Sequence, residues 1–185
     1  MSTKVLVSDA IAVPQSEEGT SSRTYTFVRH VVAAGEYRVS TCGRDVFVTY
    51  NITSGIALTL YDPVTGVGGI IHASWPSSQA DPLRAQVSPA LFVDSGVECL
   101  IRDLIAAGAR KERLIAKVAG GSNHSAEDQK LYRGEQNFTV LRSILMKHSI
   151  PIEGQHGGST KALTMVFYLS TGRTCLRGNR KEEEL

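Results

Sequence analysis

The apolar residues of this chain recur with two different periods, and the change of period marks the elements. Val46-Phe-Val-Thr-Tyr50 is a β-branched and aromatic run behind a Cys42-Gly-Arg-Asp turn, which predicts a strand. Ile56-Ala-Leu-Thr-Leu-Tyr61 predicts a second, stopped by Asp62-Pro63 with Thr65-Gly66 completing the turn. Val67 to Ala73 predicts a third, in which Gly68-Gly69 permits close backbone approach. Connections this tight favour antiparallel pairing. The near-continuous apolar stretch Ile56–Leu60 predicts burial on both faces of its sheet.

The period then becomes helical. Ser88-Pro89 predicts a helix start, because serine caps free N–H groups and proline suits the first helical position. Val93, Val97, Leu100, Ile101 and Leu104 form one apolar face, and Gly108 offers a left-handed stop. Leu114 to Val118 predicts a strand running into Gly120-Gly121. Asn137 is expected to cap a second helix, with Val140 or Leu141, Ile144, Leu145 and His148 as its buried stripe and Ile150-Pro151 as its end. Leu163 to Leu169 predicts a last apolar strand, followed by a Thr171-Gly172 turn and a short return at Thr174–Leu176. The fold class is therefore α+β, with mixed, largely antiparallel sheets packed against at least two helices.

The length, 185 residues with 42% apolar side chains, suits one domain with a real core. The expected organisation is an N-terminal extension over 1–26, partly flexible, a domain over 27–177, and a charged tail over 178–185 that frays. Twenty basic and 18 acidic residues leave a net charge of +2, a balance that does not point to nucleic acid or a membrane surface. No apolar run approaches the roughly 20 residues that cross a bilayer, and the first residues lack a signal-peptide core. Three cysteines without metal-like spacing fit a reduced, cytoplasmic protein. His30, His124, His148 and His156 show no mutual spacing for a metal, so no metal or cofactor is expected.

The candidate chemistry lies between the first and third strands. A small-residue turn, Thr53-Ser54-Gly55, and a histidine, His72, are brought together by the strands around them. The layout suits a cysteine hydrolase, yet position 55 is glycine. Ser54 is one residue off and would face the other side of a strand. Cys42 lies beyond the strand 46–50, about 15 Å from the turn at ~3.3 Å per residue. Cys99 reads as a core position on the first helix, and Cys175 as structural.

Several segments together resemble CheD, the chemoreceptor glutamine deamidase family. They are Gly35-Glu36-Tyr37, Leu60-Tyr-Asp-Pro, Gly68-Gly69, His72, Pro76, Ala116-Lys-Val-Ala-Gly-Gly121, Gly134-Glu-Gln-Asn137, Gly157-Gly158 and Thr171-Gly172-Arg173, in the family's order and spacing from about Ala34 to Arg177. The resemblance implies the cysteine-hydrolase architecture shared with deamidating toxins, and activity on methyl-accepting receptors. In that chemistry a thiolate attacks the glutamine amide carbon, ammonia leaves, and water hydrolyses the thioester. A histidine shuttles the protons. By motif, His72 falls on the family histidine, Thr49 on its partner threonine, and Gly55 on the nucleophile. The family's Gly-Ser-Cys-Val reads Thr53-Ser54-Gly55-Ile56 here. The expectation is a CheD-like protein that binds chemoreceptor cytoplasmic helices, with deamidation lost or strongly reduced. The family also implies a CheC-type phosphatase as partner. The alternative is an active protein-glutamine deamidase using His72 with a different nucleophile.

Overall fold

In the computed structural model, the described residues are 26–123, 132–157, 161–178 and 181–185. Two five-stranded sheets carry the chain. The first has the order β1 (Val28–Val31), β3 (Asp45–Ile52), β8 (Leu163–Tyr168), β9 (Arg173–Gly178), β10 (Lys181–Glu184). The second has the order β2 (Glu36–Ser40), β5 (Gly68–Ala73), β4 (Ile56–Tyr61), β6 (Ile115–Gly120), β7 (Ile152–Gly157). Pairing is antiparallel except for β1 with β3 and β6 with β7.

The second sheet is the middle of three layers. Ile56, Leu58 and Leu60 of β4 and Ile71 and Ala73 of β5 pack with Val93, Val97, Leu100, Ile101 and Leu104 of helix α2 (Val93–Ala106) and Leu141, Ile144 and Leu145 of α3 (Arg133–Lys147). The alternate residues Ala57 and Ile70 face the first sheet, meeting Phe47, Met165 and Phe167. Both faces of β4 are thus covered, as its unbroken apolar run predicts.

Several expectations change. The tight connection 53–55 makes no hairpin: β3 and β4 belong to different sheets, and the turn carries the chain from one to the other. Ser88-Pro89 starts a single 3-10 turn, Pro89–Leu91, without a side-chain cap; α2 begins at Val93, and a short helix α1 (Pro82–Val87), capped by Asp81, precedes both. Asn137 is no cap. It lies inside α3, which starts four residues earlier behind Tyr132 in a left-handed conformation. The tail does not fray at its end: β10 pairs with β9, and Arg177 and Arg173 bond Glu182 and Glu184. Most of the 1–26 extension lies outside the described residues.

Candidate functional site

The site forms at one end of the space between the sheets. Strand alternation turns His72 of β5 toward the first sheet, together with Ile70 and away from Ile71 and Ala73. There its Nδ1 meets Thr49 Oγ1, from β3, at 2.8 Å, and both side chains are buried. Immediately after Thr49 the strand bulges: its register to β8 shifts between Thr49 and Ile52, and Asn51 takes φ 56°. Tyr50 and Asn51, within this irregularity, stand on the wall of a cleft.

The hydroxyl can donate to Nδ1 or accept from it according to the ring's tautomer, and the other ring nitrogen, Nε2, faces Gly55. Burial disfavours the charged imidazolium and lowers the His72 pKa to about 4, so the ring is neutral at pH 7.

Gly55 stands against that nitrogen. A Cβ built on it would lie 3.2 Å from His72 Nε2, but only 2.7 Å from the Ala73 carbonyl oxygen. That carbonyl belongs to the strand register in which Ile56 faces Ala73. The backbone around residue 55 is therefore fitted to glycine, and any side chain there must displace a paired strand.

Two other segments hold the turn. Gly121 N–H donates to Gly55 O at 2.9 Å and Ser122 N–H to Thr53 O at 3.1 Å. Gly120, at φ 110°, passes so near Gly55 O that a Cβ would collide with it. From the helix layer, Asn137 Nδ2 donates to Ser54 O at 2.8 Å and to Ser74 O at 3.1 Å. Both acceptors are carbonyls, so the amide can present only its NH2 to them. One side chain thereby ties the residue before Gly55 to the residue after Ala73. The sequence placed Gly120-Gly121 at the end of a strand and Asn137 at a helix cap; both shape the backbone of the site.

The cleft has a volume of about 430 Å³ and is lined by Val31–Ala34, Tyr50, Asn51, Thr53–Gly55, His72, Ser74 and Arg133. Arg133, the first residue of α3, lays its guanidinium 4.1 Å above the ring of Trp75. None of the lining residues is a cysteine. Cys42 is exposed ahead of β3, and Cys99 is half-buried on α2. Cys175 is buried on β9 opposite Val166, which itself faces Val48. The neighbouring register, Leu176–Met165–Thr49, points inward, so Cys175 points to the outer face, and burial raises its thiol pKa. Ser54 lines the cleft but makes no hydrogen bond to His72 among the described residues. Asp62, from the Tyr-Asp-Pro motif, stands at the other end of β4. Burial works to raise its pKa, but Arg113 and the N–H groups of Arg110, Val64 and Thr65 hold it well below the usual carboxylate range.

A family model described as CheD chemotactic sensory transduction matches residues 75–178, more than half of the chain. The chain belongs to the CheD family. Similarity over most of the chain agrees. A probable chemoreceptor glutamine deamidase CheD from Solibacter usitatus is 34% identical over 84% of this chain and 92% of its own. Proteins of the same description from Syntrophus aciditrophicus and Pyrococcus horikoshii are 33% and 35% identical, over 80% and 79% of this chain and 93% and 90% of theirs. A solved Neisseria meningitidis structure of the family DUF152 overlays with a TM-score of 0.38 at 13% identity, covering 66% of this chain and 52% of its own. Within this CheD-family chain the matched model begins at residue 75, so Thr49, Gly55 and His72 precede it. Gly120-Gly121 and Asn137, which hold the turn around Gly55, lie inside it. No helix among the described residues is long and apolar enough to cross a membrane.

Proposed function

We propose that this chain is a chemotaxis protein of the cytoplasm that binds the cytoplasmic helices of chemoreceptors through the His72 cleft without deamidating them. In this reading His72 and Thr49 are the remaining pair of a deamidase site, and Gly55 occupies the nucleophile position. The observation that carries it is the one at Gly55: the residue facing His72 Nε2 has no side chain, and its backbone has no room for one beside Ala73 O. A thiol–histidine pair needs the sulfur to hand its proton to a ring nitrogen with a free lone pair. Here no thiol lines the cleft to make that transfer. Receptor binding is carried over from the chemoreceptor deamidases to which the chain is similar. A CheC-type phosphatase is carried over from the family resemblance as a second partner.

The test is a receptor cytoplasmic fragment incubated with purified protein, followed by peptide mass spectrometry at its glutamines. The expected result is a stable complex with no amide-to-acid mass change. Turnover above the spontaneous rate would refute the loss of activity, and absence of any complex would refute the binding role.

A further inference from the structure

A second cavity, of about 170 Å³, opens at the far end of the gap between the sheets; Thr59, Tyr61, Lys117, Glu153, Thr171 and Gly172 line it. Tyr61 ends the six-residue strand β4, whose other end follows Gly55, about 20 Å away at ~3.3 Å per residue. Two charged residues stand where the fold calls for apolar or neutral ones. Ala57 of β4 and Ala119 of β6 are partners and pack in the inter-sheet core, and further along the same ladder Thr59 partners Lys117. Alternation therefore puts Lys117 on the inward face of β6. It is half-buried there, and its ammonium has no carboxylate partner among the described residues. Glu153 of β7 belongs to the same side, because its neighbour Ile152 packs on the helix-side core. It is exposed and likewise makes no ion pair among the described residues. One cavity thus holds a cation and an anion that do not close on each other. Neutral polar groups complete it. The buried Thr59 hydroxyl lies 3.2 Å from that of Thr174. The Tyr61 ring lies against Gly172, where any Cβ would collide with it. Burial and the neighbouring Asp62 charge raise the Tyr61 pKa, so its phenol keeps its proton at pH 7.

We propose that this cavity binds a small zwitterion, an α-amino acid with a short side chain. The ligand carboxylate accepts from Lys117 Nζ, and its ammonium donates to the Glu153 carboxylate, two charge-assisted bonds that satisfy both protein charges at once. A plain anion would gain Lys117 but meet the Glu153 charge, and a plain cation the reverse, so each half alone is disfavoured. The volume equals that of about six waters at ~30 Å³ each, room for alanine or serine but not for an aromatic side chain. The site stands at the opposite end of β4 from Gly55 and draws on neither His72 nor Thr49.

The experiment titrates the full, nitrogen-15-labelled chain with L-alanine and L-serine, and with acetate and ethylammonium as the two halves of the ligand, and follows the backbone amide resonances. Shifts are expected at 59–61, 115–117, 153 and 171–172, with none at 53–55 or 72. The amino acids are expected to bind at least about tenfold more tightly than either half. Glu153→Gln, at an exposed position, is expected to weaken L-alanine binding about tenfold, and Lys117→Met by at least as much. Thermal melts show whether the variants remain folded, and the exposed Glu153 decides the matter if Lys117→Met does not fold. No shift with either amino acid at roughly 100 mM overturns the proposal. Acetate binding as tightly as L-alanine makes the cavity a simple anion site and overturns it too. Undiminished binding by a folded variant, or shifts confined to 53–55 and 72, does the same.

Discussion

His72 is neutral in the fold, with a pKa of about 4, and titrates near 6.5 once the chain unfolds. Below 6.5 the unfolded chain takes up a proton that the folded chain refuses. This contribution to stability is therefore full above pH 6.5 and declines as pH falls toward 4, by roughly 1.4 kcal/mol per unit. Urea unfolding of His72→Gln is expected to lose about 2 kcal/mol less than the unmodified chain between pH 7.5 and 5. Parallel profiles would show that the imidazole is not so depressed. Gly55 makes a second prediction at the same scale. Its Cβ position lies 2.7 Å from Ala73 O, so Gly55→Ala is expected to destabilise by ~1–3 kcal/mol, read from the denaturant midpoint. Gly55→Cys meets the same contact before its sulfur can serve His72. An alanine variant as stable as the unmodified chain would mean that the strand ends yield easily.

Among the elements, α3 acts at a distance through one amide. Asn137→Ala would leave Ser54 O and Ser74 O without their buried donor, at a cost of about 1–3 kcal/mol. Hydrogen exchange is expected to quicken at the start of β4 and the end of β5 while α2 keeps its protection. Unchanged exchange at both strand ends would remove Asn137 from this role. This link was not legible in the sequence. An asparagine before a helical apolar stripe reads as a cap, and only the folded chain shows the helix starting at Arg133 and Asn137 reaching sideways. What was legible followed from burial. β4 and β5 are apolar because layers cover both their faces, and α2 shows its stripe because one face meets β5. Strands β1, β7 and β10 were missed because they are edges, whose exposed positions carry polar or charged residues such as those of Ile152-Glu-Gly-Gln-His-Gly157 and Lys181-Glu-Glu-Glu184. Thr49 and His72 were placed together by motif register, and strand alternation supplies the physical reason that they meet. Arg133 carried no such signal, because a lone arginine before a glycine has no periodicity to mark it.

Across the whole molecule, the site draws one group from each layer: Thr49 from the outer sheet, His72 from the middle sheet and Asn137 from the helices. Its geometry therefore depends on both cores being closed. The last strand lies apart from it. Deleting residues 181–185 removes the β10 ladder, two exposed arginine–glutamate pairs, the His156–Glu183 contact and the partly buried Leu185 that packs on the inter-sheet core. Exposed pairs contribute little, so the expected loss is about 1–2 kcal/mol, or roughly 2–8 °C in melting temperature, with receptor binding kept. Loss of binding on truncation would place the tail in the functional surface. The stacking of Arg133 on Trp75 has a further use. Trp75 is the chain's single tryptophan, so all indole emission comes from a ring whose face is covered by a guanidinium of the cleft. A ligand that draws Arg133 away changes the field on that ring, and the protein's own fluorescence becomes a label-free gauge of cleft occupancy.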